Sequence, residues 1–175
     1  MSWARAAYRS RQFFGALRAR LEEEERAEVA AHLTPAEQHL FYSMDLRDQR
    51  HALDVFCVLK AGGHRDASLL AAALLHDVGK GPIRLWQRVA FILLRAMSPR
   101  LLRRLASGDG PGWRGALARS LDHAERGAAL AEAAGSTAET VRLIRLHRSP
   151  TSASSAEPAG DDVALALLQA ADEAS

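Results

Sequence analysis

The hydrophobic and polar positions of this chain read as helices from end to end, and nowhere alternate in the two-residue step that would require a strand. Arg11 to His32 reads as a helix rich in Leu, Glu, Arg and Ala. Thr34-Pro35-Ala36-Glu37 is a capping box with proline at the first helical position, opening a second helix to about Met44. A third spans Arg47 to Lys60 and is stopped by Gly62-Gly63. Asp66 caps the next, the apolar run ASLLAAALLHDV, which Gly79 and Pro82 end. Ile83 to Ala106 is helical with a break at Ser98-Pro99, and SGDGPG is a loop. Trp113 to Ala134 follows, then a helix opened by a capping box from Ser136 to Glu139 and reaching His147. After the loop SPTSASSAEPAG, Asp161 caps a final helix through Asp172. There is no internal repeat, and the expected class is all-α.

One of these segments has an unusual pattern. Arg84, Arg88 and Arg95 fall on one narrow stripe, while Leu85, Trp86, Val89, Ile92, Leu93 and Met97 cover a much broader arc. That arc is too apolar for a simple surface helix, so it belongs to the core, to a contact with a second copy of the chain or to a membrane surface. Trp86 and Trp113 read as core or lid residues rather than base-stacking platforms, because no aromatic series accompanies them.

A length of 175 residues suits one domain with a short appendage, and 48% hydrophobic with 25% charged residues excludes wholesale disorder. The single cysteine, Cys57, excludes an internal disulfide framework and a Cys-rich zinc site. No charge-free apolar run reaches the ~18 residues a spanning helix needs. The Arg-rich start has no uninterrupted apolar centre, so it reads as a helix of the mature protein, and the expected address is cytoplasmic. Net charge is only +2, but unevenly spread. Residues 1–20 hold five arginines and no acid, and residues 22–25 are four glutamates. Val78 to Gly108 carries seven cations and no acid, a pattern that suits phosphate, nucleic acid or an anionic membrane surface and, taken alone, reads as a solvated helix face.

The chemistry begins at His76-Asp77, two polar residues at the inner end of a helix that can only be core. Buried ionisable groups are costly unless they are paired or coordinate a metal. Alone, the dipeptide would read as a helix end in a surface turn. It is not alone: His51 lies 25 residues upstream among apolar neighbours, His123 and His147 follow, and Asp172 ends a nearly apolar helix. Imidazole and carboxylate without thiolate suit Mn, Fe, Co, Ni or Zn in a reactive rather than structural site. Four histidines and two aspartates are too many for one ion with open positions, and suit two ions sharing a carboxylate. Lys80, one of only two lysines against 21 arginines, falls just past the pair. His32, His39 and His64 read as surface residues.

His51, His76-Asp77 and Asp172 resemble the H…HD…D signature of the HD superfamily of metal-dependent phosphohydrolases, and HDVGK its HD-x-G-K variant. HAERGAALAEAAG followed by VRLIRLH resembles the segment that supplies two further histidines in the dinuclear branch. The resemblance covers roughly residues 46–175, the expected HD domain, and leaves 1–45 as an N-terminal helical extension. It implies a helical bundle around one or two divalent transition-metal ions. His51, His76, Asp77 and Asp172 would hold the first ion. Asp77 would bridge to a second held by His123 and His147. Catalysis would rest on Asp77 and Lys80, the lysine neutralising a phosphate oxygen. The implied substrate is a nucleotide or another small phosphate ester, with no specific nucleic-acid partner; a homodimer through the apolar arc of Ile83 to Met97 is one of the assemblies the sequence leaves open. Segment 81–122 is longer than in compact members and Arg148 stands where many dinuclear hydrolases have His-Glu, so the resemblance does not extend to the cyclic-di-GMP phosphodiesterase branch. The di-iron myo-inositol oxygenase group is similar in ligand set, in the His-to-HD spacing and in a lysine after HDxG. A degenerate, nucleotide-sensing domain is the third reading, and the complete ligand set argues against it.

Overall fold

The computed structural model describes residues 21–108, 110, 112–149 and 160–175, with side chains from 163 in the last segment. Among these residues there are nine α-helices, one 3₁₀ turn and no strand. They are α1 (Glu23–His32), α2 (Pro35–Ser43), α3 (Leu46–Ala61), α4 (Ala67–Leu75), the 3₁₀ turn (Val78–Lys80), α5 (Leu85–Met97), α6 (Pro99–Leu105), α7 (Trp113–Ala133), α8 (Ala138–Leu146) and α9 (Gly160–Ala174).

The helix signals act locally as their chemistry dictates. The Thr34 amide donates to the Glu37 carboxylate at 2.8 Å and the Glu37 amide to the Thr34 hydroxyl at 3.4 Å, closing the capping box of α2. Asp66 caps α4 by accepting from the Leu69 amide at 2.8 Å. Proline at the first position of α6 separates it from α5 at Ser98.

α4 is the hub. Leu69 to Leu75 are all buried, and α4 packs against α1, α2, α3, α8 and α9. Val29, Leu33, Phe41 and Met44 join the same apolar cluster as Leu53, Phe56, Leu74, Leu143 and Leu168, so residues from α1 to α9 share one core. The 3₁₀ turn that follows α4 lies on α7.

Several boundaries differ from the sequence expectation. α1 starts at Glu23 because Glu22 is its N-cap, its amide bonded to the Glu25 side chain; residues 11–20 of the expected longer helix lie outside the described residues. α8 is capped by Thr137, whose hydroxyl accepts from the Thr140 amide at 3.1 Å. The expected cap, Ser136, is instead taken by the buried Glu37 carboxylate at 2.6 Å. α9 begins at Gly160, which puts Asp161 inside the helix rather than at its cap. α5 begins at Leu85 and is anchored through Gln87, which is buried, and Arg88, which donates to Asp48 at 2.9 Å, while Arg84, Arg95 and the apolar arc face out. Trp86 and Trp113 are therefore not core residues, being 52% and 41% exposed.

Candidate metal centre

Five helices and one turn bring the polar residues of the sequence pattern to one place. His76 is the C-cap of α4 and His147 the C-cap of α8, so two helices aim their carbonyl ends, with partial negative charge, toward the centre. Asp77 opens the 3₁₀ turn, His123 sits within α7, His51 lies in the second turn of α3 and Asp172 is near the end of α9.

The six residues form two groups whose donor atoms lie close enough to hold an ion: His51, His76 and Asp172 in one, Asp77, His123 and His147 in the other. His51 Nε2 is 2.9 Å from Asp172 Oδ1, and His76 Nε2 is 3.7 Å from the same oxygen. Asp77 faces both groups with different oxygens. Its Oδ2 is 3.6 Å from His76 Nε2 and 3.9 Å from His51 Nε2, whereas its Oδ1 is 3.6 Å from His123 Nε2. His76, His147 and His123 follow one another ring to ring, with centroids 5.2 Å apart at each step.

Each buried imidazole is oriented by its own helix. Nδ1 of His76 donates to the Ala73 carbonyl at 2.9 Å, that of His123 to Ser120 at 2.9 Å and that of His147 to Ile144 at 2.7 Å. A carbonyl can only accept, so Nδ1 carries the proton and Nε2 presents its lone pair to the centre. All three Nε2 atoms are buried without a hydrogen-bond partner. Leaving three such acceptors unsatisfied is costly, and a cation held by each of the two groups would satisfy them.

The protonation states of Asp77, Asp172, His123 and His147 agree with that use, while burial lowers His51 but its bond to Asp172 and the charge of Asp77 outweigh it and raise the group. Burial pushes the Asp77 carboxyl up, but His76, Lys80 and His123 outweigh it and hold the group well below the usual carboxylate range. Burial likewise opposes ionisation of Asp172, and the bond from His51 together with His76 brings it down to about 2. Burial and the adjacent His76 depress His147 to about 3. His123 is lowered by burial against the pull of Asp77. Ionised carboxylates and neutral imidazoles are the forms in which these groups bind metals.

Two glycines make the centre compact. A Cβ on Gly79 would stand 2.0 Å from the His123 carbonyl oxygen and 2.5 Å from the Gly127 nitrogen. Only the absence of a side chain lets the turn after Asp77 run directly against α7 and bring the aspartate to His123.

Lys80 reaches back to hydrogen-bond Asp77 Oδ2. The other lysine, Lys60, pairs with Glu28 at 2.8 Å on the far side of α3. Two cavities adjoin the centre. One of about 640 Å³ is lined by Lys80, His123, Phe91, Ile92, Arg95 and Arg148 among others. One of about 340 Å³ is lined by His147, Asp172, Gln169 and Glu173 with the same Arg95 and Arg148. Those two exposed arginines are the residues that sequence reasoning missed: only the cavities they share reveal that they border one opening. Arg88 also lines the larger cavity, but its guanidinium is committed to Asp48.

The remaining histidines lie elsewhere. His32 packs edge-on against Phe56 and bonds the Glu28 carbonyl, His39 is exposed, and His64 is half-buried in the turn after α3. No family model matches the chain, and neither a curated protein nor a solved structure matches it.

Proposed function

We propose that the chain is a metal-dependent phosphohydrolase of the HD type, residues 46–175 forming the HD domain, that cleaves a nucleotide or another small phosphate ester. The observation that carries the reading is Asp77, whose two oxygens address two different His/Asp groups. That is how a carboxylate shared by two divalent ions is placed. The mixed imidazole and carboxylate donors, with three unpartnered Nε2 atoms, fit Mn, Fe, Co, Ni or Zn. His51, His76 and Asp172 would hold one ion, His123 and His147 the other, with Asp77 between. When bound, such ions supply Lewis acidity and a hydroxide nucleophile near neutral pH.

The protein's own groups do the rest. Arg95 and Arg148 border both cavities and offer planar donor forks to a phosphate entering from solvent. Lys80 stands between Asp77 and the larger cavity as a compact charge for a non-bridging phosphate oxygen. Negative charge grows on those oxygens in the transition state, so cations fixed beside them favour it over the ground state.

The test is metal analysis of protein purified with and without air, followed by assays on nucleoside phosphates and p-nitrophenyl phosphate with Mn or Co under anaerobic conditions. Phosphate release is the expected result. Oxygen uptake coupled to substrate loss in the presence of ferrous iron, with no phosphate released under any metal, would overturn the reading in favour of an oxygenase.

A further inference from the structure

α5 is packed the wrong way round for a helix facing water. Two polar residues anchor it, with Gln87 buried and Arg88 bonded to Asp48. Its outward arc is Leu85, Trp86, Val89, Ile92, Leu93 and Met97, from 47% to 81% exposed, and Leu101 of α6 extends it. An exposed apolar patch this continuous marks an interaction site.

Charge selects the partner. Arg84, Arg95, Arg100, Arg103 and Arg104 are all exposed around the arc, and the chain has no acidic residue from Val78 to Gly108. A second copy docked by a two-fold axis would set this acid-free stretch against itself. Residues 1–20, with five arginines and no acid, are repelled in the same way. A surface that accepts apolar side chains and is itself negative satisfies both halves of the pattern.

We propose that α5 and α6 form a docking surface for an anionic lipid bilayer. The apolar arc enters the boundary between headgroups and acyl chains, with Trp86 at that level, and the arginines meet lipid phosphates. The contact lies in the plane of the membrane, since no described helix is long and apolar enough to cross one. Ile92 belongs to both the arc and the wall of the larger cavity, so the bilayer abuts the metal centre's opening. The proposal goes beyond the hydrolase reading and does not depend on it.

The experiment is co-sedimentation of the full chain with vesicles of phosphatidylcholine alone or mixed with phosphatidylglycerol. Binding only to the mixed vesicles, weakened by added salt, is the expected result. I92E/M97E should lower partitioning at least tenfold, roughly the loss of two buried apolar side chains. Both residues are more than 60% exposed, so the variant keeps its fold, checked by circular dichroism. R100Q/R103Q/R104Q should weaken binding by about fivefold per charge. Absence of binding to anionic vesicles, binding unaffected by I92E/M97E, or a wild-type dimer that I92E/M97E dissociates would each overturn the proposal, the last in favour of a second copy on this face.

Discussion

The backbone nitrogen of Gly127 lies 2.5 Å from the point a Cβ on Gly79 would occupy. The H-x-x-x-G run of α7 and the glycine after His76-Asp77 are thus two halves of one contact. Backbone meets backbone there, and the distance between Asp77 and His123 is set by it.

Gly79→Ala is therefore expected to be severe. Its methyl group would overlap the His123 carbonyl and the Gly127 nitrogen, and neither backbone atom can rotate away. A loss of about 3 kcal/mol or more in urea unfolding, together with reduced metal content, is the expected outcome. Gly127→Ala should cost less, since the Gly79 nitrogen and the Ile144 side chain need give by only a few tenths of an ångström. Its nearest neighbours stand at 3.3 Å, and alanine gains helix propensity there.

Asp77→Ala should abolish retention of both ions, because each group loses the oxygen that faces it. His147→Ala should deplete chiefly one ion, leaving His51, His76 and Asp172 intact. Metal-to-protein ratios by elemental analysis distinguish the two patterns. Equal loss in both variants would contradict a shared carboxylate.

Lys80→Met separates binding of metal from turnover. Lysine is not among the donor groups, so metal content should stay near that of the wild type. Phosphate release should fall on the order of 10²–10³, the usual cost of losing one fixed cation or donor at a developing charge. Single-turnover assays with saturating Mn or Co measure it, and an unchanged rate would remove Lys80 from the mechanism.

Asp54, one turn beyond His51, gives a pH dependence. Burial raises its carboxyl above the ordinary value of 3.8, against the opposing charges of Arg50 and His51. The folded protein then binds this proton more tightly than the unfolded chain, so stability from this group falls as pH rises from about 4 through the raised value. Asp54→Asn should therefore raise Tm at pH 7 and leave it nearly unchanged at acid pH. A lower Tm at pH 7 would show that pairing with Arg50 outweighs burial.

The sequence carried the local signals well and the non-local ones poorly. Thr34, Asp66 and Pro99 act on atoms within a turn of themselves, so their caps and breaks were readable. Ser136 and Thr137 are equally able to cap α8, and the choice is made by Glu37, 99 positions away. The periodicity of α5 was visible, but which arc faces inward depends on Asp48, 40 positions upstream. The six residues singled out by type and placement are those the fold gathers into two groups. The roles of Arg95 and Arg148 could not be seen, because nothing local marks an exposed arginine as bordering a cavity.

The His51–Asp172 contact joins positions 121 residues apart. During synthesis at ~5–20 residues per second, α3 leaves the ribosome many seconds before α9 does. His51, His76, Asp77, His123 and His147 all emerge first, so a nascent chain can gather Asp77, His123 and His147 while His51 and His76 still lack the Asp172 carboxylate. Completing the two groups is thereby tied to the docking of α9, whose arrival supplies the missing carboxylate.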